Sequence, residues 1–279
     1  MRQSFEIQTS RPKSLALFLD VDGTLLEIAA TPDAVRVEPE LLRLLRSLYL
    51  HTAGAVALIS GRTIAGLDQL FAPMSSLAAA GLHGFERRSA TGSYRRCPLP
   101  GESVLELARA ELYGIAAGYP GTLIEDKQFA LALHYRLSPD SEVEILRKVE
   151  LIAARLRPQL QLQLGKMVAE LRPSNATKGA AVREFLSEPP FCGRSPIYIG
   201  DDLTDETAFE HVNSVGGVSI AVNVRRPTAA RFCLSDVGSV RAWLASLSCR
   251  TASVAAMDAG TVQPVPLHFE CGLREENDS

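Results

Sequence analysis

No apolar run in this 279-residue chain approaches the ~20 residues that a membrane-spanning helix requires. The first residues, MRQSFEIQTSRPKS, lack an apolar signal core, so export is not expected. A basic excess is missing too. Twenty-nine Lys and Arg against 32 Asp and Glu leave a net charge of -3, which is no footprint for nucleic acid. Cysteine is sparse. Cys97, Cys192, Cys233, Cys249 and Cys271 are odd in number and scattered, and fit neither a zinc spacing nor a disulfide framework. Reduced thiols in a cytoplasmic protein are the expectation. What remains is ordinary for a water-soluble globular chain: 46% hydrophobic and 22% charged, long enough for one large domain or two modest ones.

Short apolar runs at Leu15 to Leu19, Val56 to Ile59, Leu77 to Ala80, Ile197 to Ile199 and Val218 to Val222 read as buried strands. Helical spacing separates them at Pro39 to Leu50, Thr63 to Phe71, Lys178 to Leu186 and Asp205 to Val212. Strand and helix in alternation predict an α/β fold with a central parallel sheet covered on both faces. The middle of the chain differs. Helices at Ser103 to Ala117 and Ser141 to Leu156 are each followed by two short strands: Thr122 to Ile124 with Phe129 to Tyr135, and Leu160 to Leu164 with Val168 to Leu171. This αββαββ pattern predicts a small antiparallel sheet backed by two helices. The expected organisation is a discontinuous core, residues 1–100 and 173–249, with an inserted α+β domain at 101–172. Residues 250–279 have little periodicity and are expected to form a mobile tail.

Three segments place polar groups where apolar runs stop: DVDGT at Asp20 to Thr24, LISGR at Leu58 to Arg62, and GDDLTDE at Gly200 to Glu206. Ends of parallel strands converge on one crevice, and carboxylates gathered there repel unless a cation sits among them. Oxygen donors of this kind suit Mg²⁺, with Mn²⁺ as the alternative. Asp20 can attack phosphorus, and Asp22 can exchange a proton with the leaving oxygen and with water. Gly23 permits a tight turn, and Thr24 can bind phosphate through its hydroxyl and N–H. The competing reading is an Asx turn, which Asp and Gly also favour. An EF-hand fails, because Gly23 comes too early and no Glu stands at the twelfth position.

Ser60, Gly61 and Arg62 offer a hydroxyl, a backbone N–H and a guanidinium fork for oxyanions. Against this, Ser60 is also a common helix N-cap. Lys178 opens a helix and is either a phosphate and carboxylate neutraliser or a solvated helix-start lysine. In GDDLTDE, Asp201 is the expected metal ligand beside Asp20 and Asp22, with Asp202 and Asp205 orienting Asp201 or Lys178. An acidic helix start accounts for Asp205 and Glu206, but not for two aspartates emerging from a strand.

Taken together, DVDGT, Ser60, Lys178 and GDDLTDE stand in the order of the four motifs of the haloacid dehalogenase superfamily, which the chain resembles. That resemblance implies an aspartyl-phosphate mechanism, a Mg²⁺ site and a cap inserted between the second and third motifs. The insert itself resembles that of trehalose-6-phosphate phosphatases, through Glu125 and Lys127 in IEDKQFALALHYR, Arg136 after it, and Lys166 and Glu170 in GKMVAELRP. In that family the matching residues bind disaccharide hydroxyls. Lys166 and Glu170, four apart, are expected on one face of one strand. The bland reading of all five is salt-bridged residues on a solvated sheet. GLHG at Gly81 to Gly84 also matches, with His83 expected as a hinge packing residue rather than a substrate contact. Linkers near Pro100 and Pro173 would let the cap close as a rigid body.

The resemblance implies a phosphatase acting on trehalose 6-phosphate. With a short stretch ahead of the motifs, a stand-alone form without a glucosyltransferase domain is expected, the tail is assigned no counterpart, and a monomer is expected, with a small sugar phosphate as its partner. A sucrose-phosphate or hexose-phosphate phosphatase, a phosphomutase, and a sugar-phosphate sensor without turnover are the alternatives.

Overall fold

The structure is a computed structural model that describes residues 14–28, 35–126, 130–165, 167–224 and 226–249. The expected tail, 250–279, lies outside the described residues, as do Lys127 and Lys166. The chain divides into two compact units. One runs up to Arg96 and resumes at Thr177, and the other is Cys97–Ala176.

The first unit is built on an eight-stranded sheet. Its strands are β1 (Leu15–Leu19), β2 (Val56–Ile59), β3 (Ala78–Gly81), β4 (Glu86–Arg88) and β5 (Tyr94–Arg96) before the second unit. After it come β10 (Ser195–Gly200), β11 (Val218–Val222) and β12 (Phe232–Leu234), with order β12-β11-β10-β1-β2-β3-β4-β5. Neighbours from β12 to β3 are parallel, and β4 and β5 add an antiparallel edge.

Side-chain alternation along β1 serves two cores. Leu15, Leu17 and Leu19 join one apolar cluster, and Ala16 and Phe18 join the other. The first cluster takes the buried faces of α1 (Pro39–His51), α2 (Ile64–Leu70) and α7 (Val237–Cys249). The second takes those of α5 (Lys178–Leu186) and α6 (Glu206–Ser214). A strand covered on both faces has no room for a polar residue, which is why β1 reads as an unbroken LALFL and the first carboxylate stands just past its end.

The expected strand and helix positions agree with these elements, most to within a residue or two. The hairpin β4–β5, strand β12 and helix α7 were not expected.

The second unit holds α3 (Glu102–Gly118), β6 (Leu123–Asp126), β7 (Leu131–His134), α4 (Glu142–Arg155), β8 (Leu160–Gly165) and β9 (Val168–Pro173). The strands form a wholly antiparallel sheet in the order β6-β7-β9-β8. Leu131, Leu133, Ala169 and Leu171 pack with Leu112 of α3 and Val149 of α4 in one apolar cluster, so both helices cover the same face. By alternation, Ala132 and Glu170, which are register partners, project from the other face, together with Glu125 opposite Ala132 and Gln163 opposite Glu170.

β8 closes at Gly165 and β9 opens at Val168, with Met167 at φ 61° in the turn. The expectation that Lys166 and Glu170 share one face of one strand falls on position 166, which lies outside the described residues.

Candidate active site

β1 lies between β10 and β2, so the residues leaving the carboxyl ends of these three parallel strands meet. Asp20 is 4% exposed. Its backbone N–H donates to the Ile199 carbonyl at 2.9 Å, which fixes it beside the end of β10. The chain then turns back on itself: the N–H groups of Leu25 and Leu26 both donate to the Val21 carbonyl. Gly23 makes the turn at φ 82°, and a Cβ there would sit 2.0 Å from an oxygen of Asp201. Only glycine satisfies both demands.

Lys178 is buried rather than solvated, at 2% exposure. Thr177 caps α5 by accepting the Ala180 N–H, and this start directs Lys178 inward. The ammonium donates to Asp20 Oδ1 at 2.8 Å and to Asp205 Oδ1 at 2.7 Å. Asp205 is fully buried and carries two further bonds, from Tyr198 Oη at 2.6 Å and from the Asp202 N–H at 2.9 Å. Asp202 is exposed and caps the turn before α6 through the Leu203 N–H. Asp205 is thus the aspartate that holds Lys178. The hydroxyl of Thr24 reaches Asp20 Oδ2 at 3.1 Å and Asp201 Oδ1 at 3.4 Å.

Ser60, at the end of β2, is 1% exposed and accepts the Arg62 N–H at 3.1 Å. It is not the cap of α2, a role that Thr63 fills. The Arg62 guanidinium reaches across to Asp22, with Nε and Nη2 each 2.7 Å from a carboxylate oxygen. Leu82 and His83 both take positive φ, 51° and 57°. Their N–H groups donate to the carbonyls of Arg62 and Ser60. The His83 ring packs so closely over Gly61 that a Cβ there would lie 2.7 Å from it. His83 therefore supports the loop that presents Ser60 and Arg62. Asp20, Asp22, Ser60, Arg62, Lys178 and Asp201 all line one cavity of about 640 Å³.

Five carboxyl groups, those of Asp20, Asp22, Asp201, Asp202 and Asp205, and two cationic side chains, Arg62 and Lys178, crowd this crevice. Burial raises the Asp20 carboxyl well above the ordinary range, Lys178 opposes that, and Asp205 and Asp201 push it further. Burial also raises Asp201, to about 6, against the opposing bond from Asp20 and with the charge of Asp205 adding to the rise. Burial alone would lower the Lys178 ammonium, but Asp20 and Asp205 outweigh it and raise it.

Carboxylate oxygens of Asp20, Asp201 and Asp205 lie within 4.8 Å of one another. Such a cluster is short of positive charge, and hard oxygen donors at this spacing fit a divalent cation of the Mg²⁺ or Mn²⁺ type. Asp205 is already committed to Lys178, Tyr198 and Asp202, which leaves Asp20 and Asp201 to hold the ion. Asp22 is expected at the metal through its backbone carbonyl, and its carboxylate bonds Arg62.

In the other unit, Glu125 on β6 and Glu170 on β9 both stand opposite Ala132 of the strand between them. The row is two carboxylates flanking a small residue. His134, which sequence reasoning passed over, lies two residues along β7 from Ala132 and places Nε2 3.0 Å from Glu125. Tyr198 was missed as well, since it reads as one more apolar residue in IYI. The period-two alternation of ALALHYR could have marked His134; nothing in IYI marks Tyr198. Arg136 is exposed, in the turn after β7. Lys127 and Lys166 lie outside the described residues.

The trehalose-phosphatase family profile matches residues 18–237, which includes every one of these groups. The chain belongs to the trehalose-phosphatase family. It is 46% identical over 227 residues to a protein of Sinorhizobium fredii named probable trehalose-phosphate phosphatase, covering 81% of this chain and 84% of that one. It is 41% identical over 229 residues to the trehalose-6-phosphate phosphatase of Escherichia coli, covering 82% and 85%. The structure of Aspergillus fumigatus trehalose-6-phosphate phosphatase matches with a TM-score of 0.70 over 85% of this chain and 93% of that one. At 24% identity, that likeness concerns the fold: an α/β core of haloacid dehalogenase type with a separate cap sheet. Among the described residues, no helix is long and apolar enough to cross a membrane.

Proposed function

We propose that this trehalose-phosphatase hydrolyses trehalose 6-phosphate to trehalose and phosphate, in the cytoplasm and as a monomer. The observation that carries the reading is the convergence of Asp20 and Asp22, each on its own cation, at the end of β1. Asp20 attacks phosphorus. A bond forms between its oxygen and phosphorus, and the bond from phosphorus to the sugar oxygen breaks. Asp22 gives a proton to the departing oxygen. It then takes one from water as that water attacks the aspartyl-phosphate, which frees phosphate and restores Asp20.

Lys178 keeps Asp20 oriented and offsets charge on the phosphoryl oxygens. Ser60, Thr24 and Arg62, with the N–H groups of Gly23 and Gly61, hold those oxygens. Asp205 and Tyr198 hold Lys178, and Asp202 braces their turn. A divalent cation, Mg²⁺ in this reading, supplies positive charge that stabilises the crowded phosphoryl oxygens when it is bound at Asp20, Asp201 and the Asp22 carbonyl.

The cap selects the sugar. Glu125 and Glu170 accept hydroxyl hydrogens, and Lys127, Arg136 and Lys166 complete the set. The named relatives and the Glu125–Ala132–Glu170 row support this choice of substrate. Phosphate release from trehalose 6-phosphate, sucrose 6-phosphate, glucose 6-phosphate and mannose 6-phosphate, each with Mg²⁺, tests it. The expected outcome is a marked preference for trehalose 6-phosphate. Equal rates on all four would reduce the reading to a general sugar phosphatase.

A further inference from the structure

Arg172, on β9, is 6% exposed, yet its Nε and Nη1 have no hydrogen-bond acceptor. A guanidinium carries only donors and stays charged, so it must find acceptors when buried. Arg87, equally buried at 6%, also has an Nε without a hydrogen-bond acceptor, but its guanidinium lies within ion-pair distance of the carboxylates of Glu184 and Glu188 and over the Phe185 ring. Arg172 forms no ion pair among the described residues.

Its placement is informative. Two residues from Glu170 on the same strand, it projects from the face that α3 and α4 leave uncovered. Opposite it stands Gln161, as Gln163 stands opposite Glu170. Burial lowers the Arg172 guanidinium, and the neighbouring charge of Glu170 raises it, so the two groups sense each other.

We propose that Arg172 is a further sugar-reading residue of the cap, whose unpartnered donors take the oxygens of the substrate's hydroxyls beside Glu170. This rests on the sugar-phosphatase reading. A hydroxyl both gives and accepts a hydrogen bond. Glu170 can only accept and Arg172 can only donate, so the pair suits a hydroxylated ring that offers both. An anion would use Arg172 but be repelled by Glu170. The ligand matched to the pair is therefore the neutral sugar rather than the phosphate.

The test compares the parent with Arg172→Met and Arg172→Lys. The Met variant keeps the length of the stem and removes the buried charge, so its melting temperature is expected to hold or rise. Its KM for trehalose 6-phosphate should rise by ~10-fold or more, as expected for loss of a charged donor to a substrate hydroxyl. Inhibition by trehalose, which carries no phosphate, should weaken in parallel, and p-nitrophenyl phosphate should be hydrolysed with little change. The Lys variant should recover part of the loss.

An unchanged KM for trehalose 6-phosphate overturns the inference. So does a lower melting temperature with equal losses on both esters, or weakened inhibition by inorganic phosphate with trehalose inhibition intact. If the parent prefers another sugar ester, the substrate reading fails, and the same comparison on that ester and its free sugar decides the role of Arg172.

Discussion

Arg62 holds Asp22 by both prongs of its guanidinium, Nε to one carboxylate oxygen and Nη2 to the other, each at 2.7 Å. The residue proposed to move the proton and the residue proposed to bind phosphate are thus bonded to each other. A guanidinium fork matches phosphate oxygens as well as it matches a carboxylate. Substrate bound against Asp20 would share Arg62 with Asp22, coupling phosphate binding to the position of the acid.

Arg62→Lys keeps the charge and loses the fork. We expect kcat/KM to fall by ~10- to 100-fold, because one ammonium cannot serve both groups in planar geometry. The pair is partly exposed, 19% at Arg62 and 35% at Asp22, so the melting temperature should hardly move. Steady-state kinetics and a thermal melt check this together. Parent-like kcat/KM would release Arg62 from any role at the phosphate.

Asp20→Asn removes the proposed nucleophile. Lys178 keeps its 2.7 Å bond to Asp205, so the variant should fold. Turnover should drop by more than ~10³, since no neighbouring group can form the covalent intermediate. Rapid quenching with phosphate-labelled substrate should leave label on the parent chain and none on the variant. Near-normal turnover in a folded, metal-loaded variant would remove Asp20 from the chemistry.

What the sequence shows and what it hides follow from packing. Strands buried on both faces are near-continuous apolar runs, so β1, β2 and β11 are legible to the residue, with Ser219 of β11 as their one polar side chain. The core carboxylates are legible because an Asx turn or an acidic helix start accounts for single acidic groups at the ends of such runs, but not for so many of them. The hairpin β4–β5 is hidden in ERRSATGSYRR, which reads as a charged loop. Its strands form because tertiary partners absorb the charges: Arg88 meets Asp68, Arg87 meets Glu184 and Glu188, and Glu86 accepts the Ile64 N–H at 2.5 Å. Those partners are far away in sequence. The same holds at the site. Nothing local in IYI shows that Tyr198 donates to Asp205, and nothing local in ELRP shows that two donors of Arg172 lack acceptors.

Chelator-treated protein should become less stable as pH rises. The unfolded chain releases its carboxylate protons near pH ~4. The folded chain holds one on Asp201 up to about 6, and burial holds one on Asp20 above the ordinary range as well. The folded state therefore binds more protons across this window, and its stability falls as pH rises through it. His211, lowered by burial and then by Arg183, works in the opposite sense, losing stability as pH falls. Comparing melts of the parent and Asp201→Asn in chelator isolates the aspartate, and the decline between pH ~5 and ~7 should be shallower in the variant. Mg²⁺ at ~100 times its dissociation constant should then stabilise the parent near neutral pH by ~2.7 kcal/mol and restore turnover. Full activity in excess chelator, or no effect of Mg²⁺ on the melt, would contradict the metal site.

Glu170 faces away from α3 and α4, directly opposite Ala132 in the register, and in the proposed reading it touches the sugar and not the phosphate. Replacing it by Ala removes hydroxyl acceptors and leaves the phosphate groups intact. The expected cost in transition-state binding of trehalose 6-phosphate is ~2 to 4 kcal/mol, the range for losing a charged hydrogen-bond partner to a buried hydroxyl. p-Nitrophenyl phosphate carries no sugar and should lose far less. Glu125→Ala should follow the same pattern, though His134 at 3.0 Å would be left without its partner there, which adds a stability change absent from the Glu170 variant. Measuring kcat/KM for both esters, with a melt for each variant, separates the outcomes. A loss confined to the sugar ester assigns Glu170 to recognition. Equal loss on both esters with a lower melting temperature would make it a support of the cap sheet, and the choice of disaccharide would then have to come from other residues.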